Sequence, residues 1–314
     1  MNHQYNSIIV TGSVAYDEIM DFPSQFVEYL QPDKLHQINV SFVVDRLEKQ
    51  LGGTATNISY NLSLVTNKKI ILLTSIGKDG KEFLRFFKSR KINTEGVLID
   101  KKLYTATGKV ITDIKDNQIW GFYYGASVKA KYIDVTKFNT HTSVMIISAN
   151  HSEAFLHFQK EAISLHIPYL YDPGMGITWI KEKDLIEGIL HSRWLVGNDY
   201  EISNICKKIK MTVADLVKKN IIVITTLGEK GVLYQEKNNK IEVPGYKVSK
   251  TVDPTGAGDA WRAGFLGSLA DGRSIKESLA YANALASFAV EKYGTVNHRP
   301  TRKQIEQRVK KVLN

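Results

Sequence analysis

The 314-residue chain is 43% hydrophobic and 24% charged, which is typical of a globular protein. Its single cysteine, Cys206, excludes an internal disulfide and a multi-cysteine zinc site, and it predicts a reducing, cytoplasmic compartment. The net charge of +10 is spread along the chain, so we expect anionic small ligands rather than nucleic acid as partners. No apolar stretch approaches the length of a membrane span, so we expect no membrane partner.

Short apolar runs alternate with segments of helical spacing along most of the chain. The predicted strands are 7–12, 69–75, 143–149, 168–172, 193–198 and 220–228. Continuous apolar strands that alternate with helices indicate a largely parallel sheet that is covered on both faces. After residue 255 the chain reads almost entirely as helix, so the helical layers are completed late in the sequence.

Two regions, 13–45 and 103–128, interrupt this alternation and read as antiparallel strands. We therefore predict a small β lid made of these two regions, and an α/β catalytic core made of 1–12, 46–102 and 129–314. The second lid region carries a cluster of aromatic residues, Trp120, Phe122, Tyr123 and Tyr124. These rings would either cover a ligand at the carboxyl ends of the parallel strands or pack the lid onto the core.

The segment DPTGAGDAW, residues 253–261, predicts the start of a helix that binds an anion. Gly256 and Gly258 let backbone N–H groups approach an anion closely, and the helix N-terminus adds partial positive charge. Asp259, one step inside, suits a general base beside a transferring phosphoryl group. The simpler alternative is a well-capped helix, because aspartate also favours that position.

Candidate motifs for other chemistries are incomplete or have the wrong spacing. The segment GKDGKEF, residues 77–83, lacks the hydroxyl and the spacing of a phosphate-binding P-loop. The segment HSE, residues 151–153, begins like a zinc deaminase motif that a single cysteine cannot complete. The eight histidines are scattered, so we expect none of them to bind a metal.

The segment 253–261 resembles the second signature of the ribokinase family, the pfkB-type carbohydrate and nucleoside kinases. LGGTATNIS, residues 51–59, resembles the first signature of that family. Further matches follow in family order, so the resemblance covers nearly the whole chain. It implies a ribokinase-like three-layer α/β core with a largely parallel central sheet and a small β-stranded lid.

The resemblance also implies roles for individual residues. The catalytic set is the base Asp259 and the anion hole Gly256, Ala257 and Gly258. The substrate-binding set is Asp17, Gly53, Asn57 and Phe122. The nucleotide-binding set is Asn198, Thr226, Gly228, Gly231 and Asn283. Glu201 is implied to hold Mg²⁺ through water. Arg262 would either reach a phosphate or be an ordinary surface or capping arginine.

Within the family, segments such as GSVAYDEIMDFPSQF and FYYGA look like the bacterial adenosine kinase group. That likeness implies an ATP-dependent kinase that phosphorylates the 5′-hydroxyl of adenosine to give AMP, in purine salvage. A broad-specificity nucleoside kinase or a sugar kinase of the same fold is the alternative. The expected ligands are a nucleoside, ATP, Mg²⁺ and a monovalent cation such as K⁺. A homodimer through the lid is also expected.

Overall fold

Two separate β-sheets organise the molecule in the computed structural model, which describes residues 5–30, 37, 39–115 and 117–314. The strands are β1 (Ser7–Thr11), β2 (Ala15–Asp21), β3 (Arg46–Gly52), β4 (Lys69–Ile76), β5 (Val97–Ile99), β6 (Ala106–Thr112), β7 (Gln118–Tyr123), β8 (Ser143–Ile147), β9 (Tyr169–Tyr171), β10 (Trp194–Asn198), β11 (Ile222–Thr226), β12 (Val232–Glu236) and β13 (Asn239–Val243). The helices are α1 (Thr54–Val65), α2 (Lys81–Ser89), α3 (Ser152–Ser164), α4 (Glu182–Leu190), α5 (Asp199–Ile209), α6 (Val213–Lys218), α7 (Ala257–Ala270), α8 (Ile275–Ala289) and α9 (Arg302–Leu313).

The larger sheet has the strand order β13-β12-β11-β10-β9-β8-β1-β4-β5. The strands from β11 to β5 are parallel, whereas β12 and β13 are antiparallel and form one edge. Because connections between parallel strands return over a face of the sheet, helices cover it on both sides. The predicted mostly parallel sheet is therefore confirmed.

The core consists of two apolar layers, one on each face of the larger sheet. Alternate residues of β1 enter different layers: Ile8 and Val10 pack with helices α1, α7 and α8, and Ile9 packs with α3 and α4. This arrangement is the three-layer α/β core that the sequence predicted. No helix within the described residues combines the length and the apolar character needed to cross a bilayer.

The smaller sheet has the order β3-β2-β6-β7 and lies beside the carboxyl end of β1. Strand β3 pairs with β2 along its whole length, from Ala15 opposite Gly52 to Asp21 opposite Arg46. Residues 46–52 thus belong to the smaller sheet and not to the predicted core segment 46–102, because their backbone pairs with β2. Residues 31–36, 38 and 116 of the predicted lid and residues 1–4 of the predicted core lie outside the described residues. The division into core and lid otherwise stays a prediction.

Over the described residues the chain passes between the two sheets four times, and these crossings lie in two pairs. In the first pair, Ser13 and Thr54 exchange hydrogen bonds between each backbone N–H and the other side-chain oxygen, at 3.2 Å each. The N–H of Ala55 also donates to the Ser13 carbonyl. In the second pair, the N–H of Ala126 donates to the Tyr104 carbonyl at 2.9 Å. Hydrogen bonds therefore join the two chain segments within each pair of crossings.

Candidate active site

Helix α7 begins where the sequence predicted an anion-binding start. Gly256 precedes it with a φ of 78°, a left-handed conformation that glycine adopts without strain. A side chain there would also contact Thr295, since an added Cβ would lie 2.9 Å from the Thr295 Cβ. Ala257, Gly258 and Asp259 form the first turn. The Ala257 N–H donates to the Pro254 carbonyl at 3.2 Å, so the N–H groups of Gly256 and Gly258 are the members of the predicted anion hole that remain for an anion.

Asp259 lies at the bottom of this turn and contacts helix α1. Its Oδ2 accepts a hydrogen bond from Asn57 Nδ2 at 2.8 Å. Burial raises the pKa of the Asp259 carboxyl to about 7, although the Asn57 hydrogen bond and the Arg262 charge act in the opposite direction. Asp172 and Asp17 add to the rise because like charges oppose ionisation. The carboxyl can therefore gain or lose a proton near neutral pH.

Arg262 is buried one turn further along α7, so it is not a surface residue. Its Nε lies 2.5 Å from Asp172 Oδ2, and its Nη2 donates to Asp172 Oδ1 at 2.8 Å. Its Nη1 donates to the carbonyl of Gly258 at 3.0 Å. The sequence analysis did not pair Arg262 with Asp172, which follows β9. The segment DPG at 172–174 was the feature of the sequence that could have drawn attention to Asp172.

Asn198 and Glu201 form a capping box at the start of α5, where β10 ends. The Glu201 N–H donates to Asn198 Oδ1 at 2.7 Å, and the Asn198 N–H donates to Glu201 Oε2 at 2.8 Å. Glu201 Oε2 also lies 3.8 Å from Arg262 Nη2. The described residues contain no cluster of three or more side chains that could hold a metal by themselves.

On the smaller sheet, Asp17, Gly108 and Phe122 form one row across β2, β6 and β7. Gly108 is the register partner of both other residues, so all three share one face. A Cβ added to Gly108 would lie 3.4 Å from Asp17 Oδ1, from the Phe122 ring and from the Trp120 ring. Glycine thus leaves a gap between a carboxylate and an aromatic ring. The sequence analysis missed Gly108, since only the register reveals it.

Asp17 is half-buried, and burial raises the pKa of its carboxyl to about 6. Gly52 makes room for it, since a Cβ there would lie 1.9 Å from Asp17 Oδ2. The neighbouring Gly53 has a φ of 88°, and a Cβ there would lie 2.5 Å from the Ser13 carbonyl oxygen. Gly52 is therefore required because the Asp17 carboxyl occupies the place of a side chain. Gly53 is required because the chain passes close to Ser13 at the crossing.

Phe122 begins a series of ring contacts that ends at the carboxyl end of β8. The Phe122 ring is 49% exposed and lies edge-on to Tyr124, with centroids 4.9 Å apart. Tyr124 lies edge-on to His151 at 5.2 Å. His151 Nδ1 accepts the Glu153 N–H at the start of α3, which fixes the ring. The rings form one side of the cleft between the sheets.

The remaining predicted nucleotide residues lie in two places. Thr226 ends β11 directly opposite Asn198 in the register, so these two residues are neighbours. Gly228 follows in an open turn, where an added Cβ would have no neighbour within 4 Å. Gly231 has a φ of 100° and lies against the backbone, since a Cβ would be 2.1 Å from the Val243 carbonyl oxygen. Gly231 thus shapes the turn itself.

Asn283 is buried in α8, and all of its polar atoms have partners within the protein. Its Oδ1 accepts the Trp261 Nε1–H at 2.7 Å. Its Nδ2 donates to the carbonyls of Val243 and Pro244 at 3.1 and 2.8 Å. The structure therefore places this side chain as a link between α7, α8 and the segment that follows β13.

Comparison with known proteins gives concordant matches over nearly the whole chain. The family model described as pfkB family carbohydrate kinase matches residues 11–302. A nucleoside kinase from Methanocaldococcus jannaschii is 30% identical over 314 residues, which is 99% of each chain. The crystal structure of the M. jannaschii nucleoside kinase, an archaeal member of the ribokinase family, matches with a TM-score of 0.86 at 27% identity, covering 98% of this chain and 99% of that one.

A second relative of known structure is a nucleoside kinase from Burkholderia thailandensis. Its complex with inosine matches with a TM-score of 0.86 at 25% identity and covers 97% of each chain. Its complex with ADP-inosine matches with a TM-score of 0.83 at 26% identity, covering 97% of this chain and 95% of that one. These matches confirm the ribokinase-like fold that the two signatures predicted.

Proposed function

The chain belongs to the pfkB family of carbohydrate kinases, and within it we propose an ATP-dependent kinase of the nucleoside 5′-hydroxyl that favours adenosine. The row of Asp17, Gly108 and Phe122 carries this proposal. It offers a carboxylate for vicinal hydroxyls and, beyond an unfilled gap, a half-exposed ring for a flat base. A free sugar has no flat face for that ring. The inosine complex of the Burkholderia relative supports a purine nucleoside.

Asn57 supports a ribose contact beside this row. Its Nδ2 donates to Asp259, whereas its buried Oδ1 has no hydrogen-bond partner in the described part of the protein. A buried polar atom without a partner is costly, and a ribose hydroxyl could satisfy it. Asn57 would then contact both the substrate and Asp259, the proposed general base. Gly53 would lie against the ribose on the same side.

The reaction needs little covalent chemistry from the protein. The 5′-oxygen forms a bond to the γ-phosphorus of ATP, and the bond from that phosphorus to the bridging oxygen of ADP breaks. The hydroxyl proton passes to the ionised carboxylate of Asp259, whose pKa of about 7 suits a base at neutral pH. The N–H groups of Gly256 and Gly258 would stabilise the negative charge on the transferring group.

Asn198, Glu201 and Thr226 would hold the ATP phosphates and their cation at the ends of β10 and β11. Mg²⁺ is commonly bound by one or two carboxylates together with nucleotide phosphates and water, and Glu201 fits that pattern through a water molecule. The ion would neutralise phosphate charge. A requirement for K⁺ is part of the proposal. Gly228, in its open turn, would border the phosphates, whereas Gly231 and Asn283 would shape the nucleotide site without direct contact.

A coupled assay of ADP release tests the function over a panel of nucleosides and free sugars. We expect the highest kcat/KM for adenosine, loss of activity with EDTA, and faster turnover with K⁺ than with Na⁺. A sugar that exceeded every nucleoside would leave the kinase family intact and reject the nucleoside proposal. Absence of ADP release with every acceptor would instead favour a protein that only binds nucleosides. In a cell the reaction would serve purine salvage in the cytoplasm.

Self-association through the smaller sheet is a further part of this proposal. Strand β7 is an edge strand, and all six of its residues are exposed. Exposed edges offer unpaired backbone groups to a second strand. Light scattering after size exclusion would give the mass of a dimer if the lid associates. The mass of a monomer at micromolar concentrations would reject the dimer.

A further inference from the structure

The cluster of Arg262, Asp172 and Glu201 connects three elements of the site. Arg262 lies on α7, Asp172 follows β9, and Glu201 lies in the first turn of α5 after β10. We propose that Arg262 is a positioning residue that fixes α7 against the ends of β9 and β10 and supplies the fixed positive charge beside Asp259. This inference rests on the proposed function, in which Asp259 is the base and Glu201 lies on the phosphate side.

The geometry of the cluster explains why an arginine is needed. Its guanidinium contacts both oxygens of Asp172, at 2.5 and 2.8 Å, and a third nitrogen position reaches the Gly258 carbonyl at 3.0 Å. A lysine has a single ammonium group and cannot reproduce this fork. Because the side chains of Arg262 and Asp172 are only 7% and 6% exposed, their orientation is set by one another. The first turn of α7 is thereby fixed on the sheet.

The charges around Asp259 give this role a measurable signature. Arg262 on the same helix lowers the pKa of the Asp259 carboxyl, while Asp172 after β9 and Asp17 on β2 raise it. Asn57 on α1 adds a neutral hydrogen bond that lowers it. Removing Arg262 and removing the charge of Asp172 must therefore move the Asp259 pKa in opposite directions. A cluster that only held the fold together would not produce opposite shifts.

The test compares R262M and D172N with the wild-type protein in the pH dependence of kcat/KM. We expect the midpoint of the rising limb to move up by about one pH unit in R262M and to move down in D172N. Carboxyl ¹³C NMR, with Asp259 assigned through D259N, should show the same two shifts without any need for turnover. Thermal melts of both variants accompany these measurements, since each variant leaves one member of a buried pair without its partner.

R308M is the matched control, because it removes another partly buried arginine from an ion pair, with Glu291 at 2.7 Å. It should lower the melting temperature and leave the midpoint unchanged. The proposed role of Arg262 would be overturned if the midpoint moved in the same direction in R262M and D172N. It would also be overturned if the midpoint moved in neither variant. An inactive wild-type protein would reject the proposed kinase instead, and the NMR shifts would still decide the electrostatic role.

Discussion

Asn57 and Asp259 are separated by 202 positions in the sequence, yet the amide of one donates to the carboxylate of the other at 2.8 Å. This contact joins the first turns of α1 and α7, the helices that carry the two signature segments. It orients the Asp259 carboxyl and favours its ionised form, against the effect of burial. The two signatures therefore meet in one hydrogen bond, at the place where the proposed proton transfer occurs.

Replacing Asp259 by asparagine should slow kcat by about 10²–10⁴-fold, because the amide cannot accept the hydroxyl proton. Nucleoside binding, measured by calorimetry, should persist. Glu277 provides the control, since it occupies the same third position of α8 but lies away from the site. E277Q should keep normal turnover. Near-normal turnover in D259N would remove Asp259 from the role of base.

The same variant should be more stable than the wild-type protein at high pH. The folded-state pKa of Asp259 is raised from 3.8 to about 7, so the folded protein binds the proton more tightly than the unfolded chain does. The stabilisation of the folded protein that comes from protonated Asp259 is complete below about pH 4 and is lost as the pH rises through about 7. The melting temperature of D259N relative to wild type should therefore be higher at pH 8 than at pH 5. A difference independent of pH would contradict the raised pKa.

Replacing Asp17 by asparagine should raise the KM for the nucleoside by about 10- to 150-fold, since a charged hydrogen bond to a hydroxyl is worth about 1.5–3 kcal/mol. The KM for ATP should change little. Asp21 lies four residues along the same strand and on the same face, at the far end from the cleft. D21N should leave both constants unchanged. An unaltered nucleoside KM in D17N would place Asp17 outside the substrate site.

Valine at position 108 should fill the gap between Asp17 and Phe122. A Cβ added at position 108 would lie 3.4 Å from Asp17, Phe122 and Trp120, so the additional methyl groups of valine must displace one of these side chains or the substrate. We expect a nucleoside KM at least about tenfold higher, and a smaller effect for G108A. G121V on the neighbouring strand is the control, since an added Cβ there has no neighbour within 4 Å. Equal increases of the nucleoside KM in G108V and G121V would contradict a role of the gap at Gly108 in substrate binding.

Truncating Phe122 to alanine should remove stacking worth about 0.5–1.5 kcal/mol beyond the buried area. The loss should fall on nucleosides and not on ribose, so the preference for adenosine over ribose should narrow. Tyr123 is similarly exposed and points to the opposite face of β7, so Y123A serves as the control. A thermal melt separates this result from unfolding. An equal loss of activity with every acceptor would mean that Phe122 only packs the lid.

The sequence was most informative where the chemistry is local. The start of α7 at Ala257 follows from glycine conformations and helix capping, which act over a few residues. Arg262 could not be placed, because its partner Asp172 is 90 positions away and only the fold brings them together. A buried guanidinium and a surface one look the same in a sequence.

Strand β3 escaped prediction for a different reason. Its sequence, RLEKQLG at 46–52, has only two leucines among charged and polar residues, and most of it is exposed or half-buried. Such a strand carries no apolar run and is defined by its partner, β2. Gly108 shows the same limit, since its importance comes from its two register partners across the sheet. Pairing between distant segments is therefore the part that required the structure.

The two tied pairs of chain crossings restrict how the smaller sheet can be displaced as a unit. One tie lies at Ser13 and Thr54, and the other at Tyr104 and Ala126. The smaller sheet is also held at other places. The Tyr16 hydroxyl on β2 donates to the Asp79 carbonyl at 3.0 Å, and the Thr295 hydroxyl donates to the carbonyl of Leu51 on β3 at 3.3 Å. Any displacement of this sheet as a rigid unit would therefore have to break some of these hydrogen bonds.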